Sequence, residues 1–240
     1  MNRMIPGGRL ATVAMTALFA MGMAACGGGG GSGGASPPPG GGSNPPPSGG
    51  IDGVGKARGA ITGFGSVIVN GVRFSTGGAT FKIEDSTGTE QELEVGDVVE
   101  VEGRIASDGT TGTATSISYN DAVEGPVQSV DLAGSSLVVL GQTVRVTGTT
   151  IFDDSFAVPA LAGISVGEVV EISGYPNAAG EIVATRIEPK PAGGTFELFG
   201  IVSSLNTSTF RFNLSSTVVD YATATLSNGS PANGACVEVK

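Results

Sequence analysis

The fold class predicted by the sequence is all-β: tandem small OB-like antiparallel β-barrel repeats after an N-terminal signal and a Gly/Pro-rich tether. Three observations carry this. First, Gly96-Asp97-Val98-Val99-Glu100-Val101-Glu102-Gly103 recurs as Gly167-Glu168-Val169-Val170-Glu171-Ile172-Ser173-Gly174, and again as Gly234-Ala235-Cys236-Val237-Glu238-Val239. The three leading glycines stand 71 and 67 residues apart, so one supersecondary unit is repeated along the chain. Second, apolar residues alternate with polar ones in short runs punctuated by Asn-Gly and Asp-Gly, the pattern of strands and tight turns. Third, each unit supplies five or six such runs and one brief connector, the set a small Greek-key barrel requires. Closure into a barrel also removes the exposed edges that a meander of this size would keep.

Residues 1–25 have the three-part form of a secretory signal. Arg3 and Arg9 give the positive start, Leu10 to Met15 and Leu18-Phe19-Ala20 the apolar run, and Ala24-Ala25 the small residues before the cut. The run is shorter than the roughly 20 apolar residues of a membrane-spanning helix. Met23-Ala24-Ala25-Cys26 resembles a bacterial lipobox, with Met23 in place of the more usual Leu. The resemblance implies that Cys26 is the lipidation site and the new N-terminus. Acyl chains then carry the membrane affinity, at about 0.8 kcal/mol per buried methylene. Gly27 follows the cysteine, where an Asp would signal inner-membrane retention, so the expected location is the outer membrane, facing the periplasm or the cell surface.

Residues 26–50 form the tether. Gly27 to Gly31, Pro37-Pro38-Pro39 and Pro45-Pro46-Pro47 offer too little apolar surface to order a core. As a coil they would span about 25–30 Å, more where the prolines stiffen them. A phosphate-cradling loop would need a preceding strand and a following Lys and Ser/Thr, which this stretch does not have.

Unit one (residues 51–121) opens at Gly59-Ala60-Ile61-Thr62-Gly63. Val67-Ile68-Val69 and Val72-Arg73-Phe74 flank Asn70-Gly71, the strongest short hairpin signal, because both turn residues tolerate positive φ. A polar turn at Asp85-Ser86-Thr87-Gly88 precedes the signature strand, where Val98 beside Val99 predicts burial on both faces. Asp108-Gly109 turns the chain into the closing strand through Ala114-Thr115-Ser116-Ile117. Unit two (122–190) repeats the order from Glu124-Gly125-Pro126-Val127, with Ala160-Leu161-Ala162-Gly163 as a connector of one helical turn and Ala184-Thr185-Arg186-Ile187 closing it. Unit three (191–240) runs from Phe196 through Phe210-Arg211-Phe212 to its signature and stops, incomplete at the C-terminus. Either the sequence is part of a longer protein, or unit three borrows its closing strand.

On Gly125-Pro126-Val127, Val166 to Glu171 and Ala184-Thr185-Arg186-Ile187, the chain resembles the bacterial domain-of-unknown-function family numbered 5666. Its members are often lipoproteins carrying such units in tandem. The likeness covers about residues 59–240 and implies no assigned activity.

The remaining chemistry is read largely by exclusion. Twelve basic against 22 acidic residues, a net charge of −10, argue against nucleic acid, whose phosphates need Lys and Arg clusters. Without histidine the usual triads and most zinc or copper sites fall away. With Cys26 acylated, Cys236 is expected alone, a small apolar thiol in a core strand. Glu100 and Glu102 project from one strand face with Glu171 and Glu238 equivalent to Glu100, and this acidic face is expected to be solvated. Asp85 to Glu90 has alternating oxygen ligands but not the spacing of a calcium loop. Tyr175 is a single exposed aromatic and makes no stacking platform. The reading is a non-enzymatic envelope lipoprotein, without cofactor, catalytic residue or metal, that binds or spaces a partner. An envelope protein or glycan is the expected partner beside the membrane itself. The alternative is an oligosaccharide- or cation-binding envelope protein.

Overall fold

The computed structural model describes residues 54–84 and 86–240, together with the strand backbone of 17–20. Cys26, the tether and Asp85 lie outside the described residues, as does most of the signal. Strand β1 is Ala17–Ala20. Unit one then contains β2 (Val54–Gly63), β3 (Val67–Val69), β4 (Val72–Ser75), β5 (Thr80–Ile83), β6 (Ser86–Gly88), β7 (Val98–Ile105) and β8 (Thr111–Tyr119), with a 3-10 turn at Glu90–Glu92. Antiparallel pairs β2–β3, β3–β4, β2–β7 and β7–β8 form most of a ring, and the parallel pair β4–β8 closes it. The order around the barrel, first-second-third-fifth-fourth, is that of an OB-type barrel. The closing pairs are parallel, which corrects the all-antiparallel expectation. The third and fifth strands of this order run in the same direction, and only long-range pairing reveals it.

Unit two repeats the ring with β9 (Val123–Asp131), β10 (Ser136–Val139), β11 (Gln142–Arg145), β12 (Ile151–Phe152), β13 (Val169–Pro176) and β14 (Ile182–Pro189). Its closing pairs, β11–β14 and β12–β14, are again parallel. The predicted connector turn is a 3-10 turn at Leu161–Gly163. Unit three contributes β15 (Glu197–Asn206), β16 (Arg211–Leu214), β17 (Thr217–Asp220), β18 (Thr225–Ser227) and β19 (Cys236–Val239). Strand β1 pairs antiparallel with β19 and parallel with β18, as β14 pairs with β13 and β12. Leu18 opposes Val239, the register in which Ile117 opposes Val101 and Ile187 opposes Ile172. The fifth-strand position of unit three is therefore filled from outside the unit.

The signature turn explains its glycines. Gly96, Gly167 and Gly234 have φ of 103°, 89° and 85°, a region that L side chains avoid. Each is tied to its unit's first strand by two backbone bonds: Gly96 N donates to Ile61 O and Ile61 N to Asp97 O, both at 2.8 Å, and the same exchange recurs at Val127 and Val202. The second turn also recurs, with positive φ at Asn70-Gly71, at Leu140-Gly141 and at Ser215. Val98, Val99, Val169 and Val170 are buried, as the doubled valines predict. The core of unit one, around Phe74, Val99 and Ile117, is separate from a joint core of units two and three that includes Ile172, Ile187, Phe212 and Val237.

Three expectations are corrected. Ser86-Thr87-Gly88 is a strand paired with β5, not a turn; the reversal sits one step earlier, at Glu84 with φ 51°. Cys236 is half-buried and disulfide-bonded, not a lone thiol, and its partner lies outside the described residues. Tyr175 is half-buried rather than exposed.

Candidate functional site: a buried row of carboxylates

The signature glutamate occupies one register position in every unit, and its surroundings differ. In unit one Glu100 opposes Arg58 across β2–β7 and bonds Lys56 at 2.6 Å on a partly exposed face. In unit two Glu171 opposes Glu124 on one side and Glu188 on the other, and Glu124 in turn opposes Glu197 of unit three. Four glutamates thus stand abreast on β14, β13, β9 and β15. Paired residues across a sheet share a face, and like charges directly opposite destabilise it. Asp121, in the Asn120-Asp121-Ala122 linker, and Glu238 on β19 join the row at its unit-three end, and Glu84 approaches from unit one. Carboxylate oxygens of Asp121, Glu197 and Glu238 lie within 4.8 Å of one another, and so do those of Glu84, Glu124 and Glu171.

This overturns the expectation of a solvated acidic face. Asp121 is 2%, Glu171 4%, Glu197 6% and Glu238 1% exposed. Packing of each unit on the signature strand of its neighbour covers them, an event that no single-strand pattern records. Two ammonium groups answer part of the charge. Lys190 bonds Glu171 at 2.6 Å and Glu188 at 2.8 Å; Lys240 bonds Glu197 at 2.7 Å and Glu238 at 3.3 Å. Tyr119 Oη donates to Glu171 Oε1, and Ser173 Oγ donates to Tyr119 Oη at 3.0 Å.

The electrostatic consequences follow from burial first and neighbours second. Asp121 is pushed well above the usual carboxylate range by burial, and further by Glu171, Glu197, Glu84 and Glu238. Glu124 rises to about 7 through burial and Glu171, with Lys190 opposing. Burial raises Glu171 against Lys190 and the Tyr119 hydroxyl, and raises Glu197 against Lys240. Tyr119 is itself pushed well above 10.0 by burial and by Glu171. Beside the row a cavity of about 280 Å³ separates units one and two, lined by Glu84, Glu92, Asp97, Glu171, Glu188 and Lys190 among others. All the carboxyl donors are hard oxygen ligands, suited to protons, ammonium groups and hard cations.

Of the residues singled out from sequence, Glu171 and Glu238 belong to this site, whereas Glu100 and Glu102 sit apart on unit one with Lys56. Asp121, Glu124 and Glu197 were missed. One signal was legible: aligned on the glycine opposite the second signature valine, Arg58-Gly59 of unit one becomes Glu124-Gly125 in unit two, which sets acid against acid. Cys26 lies outside the described residues.

The family model of a domain of unknown function, DUF5666, matches residues 58–118 and 124–188, the spans of the two complete barrels. No curated protein and no solved structure matches the chain. Two matched copies in tandem cover more than half of the sequence, and the chain belongs to the DUF5666 domain family.

Proposed function

We propose that this chain is a non-enzymatic cell-envelope lipoprotein, anchored in the outer membrane through acylated Cys26, that holds tandem β-barrel modules on a tether to bind or space a partner. The observation that carries this reading is what the units repeat. The recurring residues are architectural: the positive-φ glycines 96, 167 and 234, the closing Ile117 and Ile187, and the turn after the second strand. Polar side chains at equivalent positions diverge, Arg58 facing Glu100 where Glu124 faces Glu171. An array that performed one reaction in each unit would repeat a reactive constellation; this one repeats a scaffold and varies its chemistry. The lipobox-like Met23-Ala24-Ala25-Cys26 and the Gly/Pro tether behind it fit a module held away from a bilayer.

The test is the fate of Cys26. Cys26→Ser is expected to leave the membrane fraction and to lose labelling by fatty acid. Membrane retention of the serine variant would refute the anchor.

A further inference from the structure

We propose that Asp121, Glu197 and Glu238 form a binding site for a divalent hard cation, with Ca²⁺ as the probe, where units two and three meet. The three residues come from the linker before β9, from the start of β15 and from β19, so the site exists only when both units are folded against each other. Their oxygens lie within 4.8 Å of one another. Ligands held by Ca²⁺ at 2.3–2.6 Å can be up to about 5 Å apart, so oxygens this close can share one such ion.

A second observation points to a ligand rather than to an acidic surface. Asp121 is 2% exposed and Glu238 1% exposed, and among the described residues neither Asp121 Oδ2 nor Glu238 Oε2 has a hydrogen-bond partner. Buried polar atoms are almost always satisfied, and each orphan calls for an explanation. Lys240 reaches Glu197 Oε2 and Glu238 Oε1, which leaves Asp121 Oδ2 and Glu238 Oε2 as the open pair. The wider charge count agrees. Among the described residues Asp121, Glu124, Glu171, Glu188, Glu197 and Glu238 interact in one patch with Lys190 and Lys240. A buried charge without a counter-charge is among the costliest groups a fold can carry, and a dication offsets two of them with the oxygen chemistry already in place. The donor set is all carboxylate, which selects Ca²⁺ over soft metals.

The experiment uses the full chain, residues 1–240, stripped with chelator and returned to neutral buffer. Ca²⁺ is expected to raise the thermal midpoint by about 5–10 °C at a hundredfold excess over Kd. Tb³⁺ should give tyrosine-sensitised luminescence that Ca²⁺ displaces, the chain having three Tyr and no Trp. Asp121→Asn should abolish the Ca²⁺-dependent rise and yet melt higher than wild type in chelator, since one of the crowded charges is gone; a merely structural aspartate would melt lower in both conditions. Glu238→Gln makes the same comparison should Asp121→Asn not fold, and Glu100→Gln, at the equivalent unit-one position, should respond to Ca²⁺ as wild type does. No shift at roughly 10 mM Ca²⁺, above the millimolar range of weak extracellular calcium modules, would overturn the proposal. So would a shift that survives in Asp121→Asn or Glu238→Gln.

Discussion

Replacing Arg186 with alanine removes a guanidinium that three carboxylates and one carbonyl share. Its Nη2 bonds Asp153, its Nε lies 3.1 Å from Glu188 Oε2 and 3.8 Å from Asp97 Oδ1, and its Nη1 donates to Val95 O at 3.4 Å. The side chain is 7% exposed. Deleting one member of a buried ion pair costs about 3–5 kcal/mol, because the charge left behind stays desolvated. Asp153 and Glu188 are 27% and 22% exposed and can regain water; Asp97, at 5%, cannot. The lower end, about 3 kcal/mol, is therefore expected. With a urea slope of about 2 kcal/mol per molar, the midpoint should fall by about 1.5 M. The assay is urea unfolding followed by far-UV circular dichroism, with Arg145→Ala as the control. Arg145 bonds Glu181 at a similar 2.7 Å but is 42% exposed, and a surface pair contributes about 1 kcal/mol or less. Equal losses for the two variants would refute the assignment of Arg186 as a buried counter-charge.

Two further outcomes follow from the same geometry. Asp97 is raised to about 7 by burial, with the Glu94 backbone N–H and Arg186 opposing. An acid raised on folding stabilises most fully below its unfolded value, and that contribution is lost as pH rises through the folded one. Asp97→Asn should therefore gain on wild type between about pH 4 and pH 7, reaching on the order of 4 kcal/mol above that window; parallel urea midpoints across the range would disprove it. Gly174 lies where the β13–β14 register shifts, and a Cβ there would meet Val183 O at 2.5 Å. Gly174→Ala should lose about 1–3 kcal/mol through overpacking, while Gly148→Ala, with nothing within 4 Å, should be neutral or gain up to about 1 kcal/mol. Thermal melts that rank the two alanine variants the other way would show that the bulge tolerates a side chain.

Local chemistry carried much of the fold into the sequence. Asn70-Gly71 announces its turn because both residues must take positive φ, and Gly96 and Gly167 announce theirs for the same reason. The doubled valines betray burial on two faces. What stayed hidden depends on partners distant in sequence. The parallel closure of β4 on β8 joins Arg73 to Thr111, and nothing in either strand alone records the direction of the other. Glu171 and Glu238 alternate with apolar residues as solvent-facing glutamates do, and only a neighbouring unit laid over the strand buries them. The carboxylate row needs the lateral register of four strands from two units, so Glu124 and Glu197 look like ordinary surface acids until that register is known. The disulfide at Cys236 is not legible in the sequence, where the lipobox-like Met23-Ala24-Ala25-Cys26 assigns the other cysteine to acylation.

The two joints of the array are fastened differently, and this has consequences for how it melts. Units two and three share one sheet, in which Glu197 and Leu198 continue the ladder from Glu124 and Val123, and they share a hydrophobic core. Unit one has its own sheet and its own core, and holds to unit two through side chains such as Tyr119 on Glu171 and Arg186 on Asp97 and Val95. In a linear array, stability is a sum of unit terms and nearest-neighbour terms. The second joint has a backbone ladder and continuous apolar packing, so units two and three should unfold in a single cooperative step. The first joint is fastened chiefly by charge and hydroxyl contacts, which leaves unit one free to open by itself and to close again without disturbing the fused pair behind it.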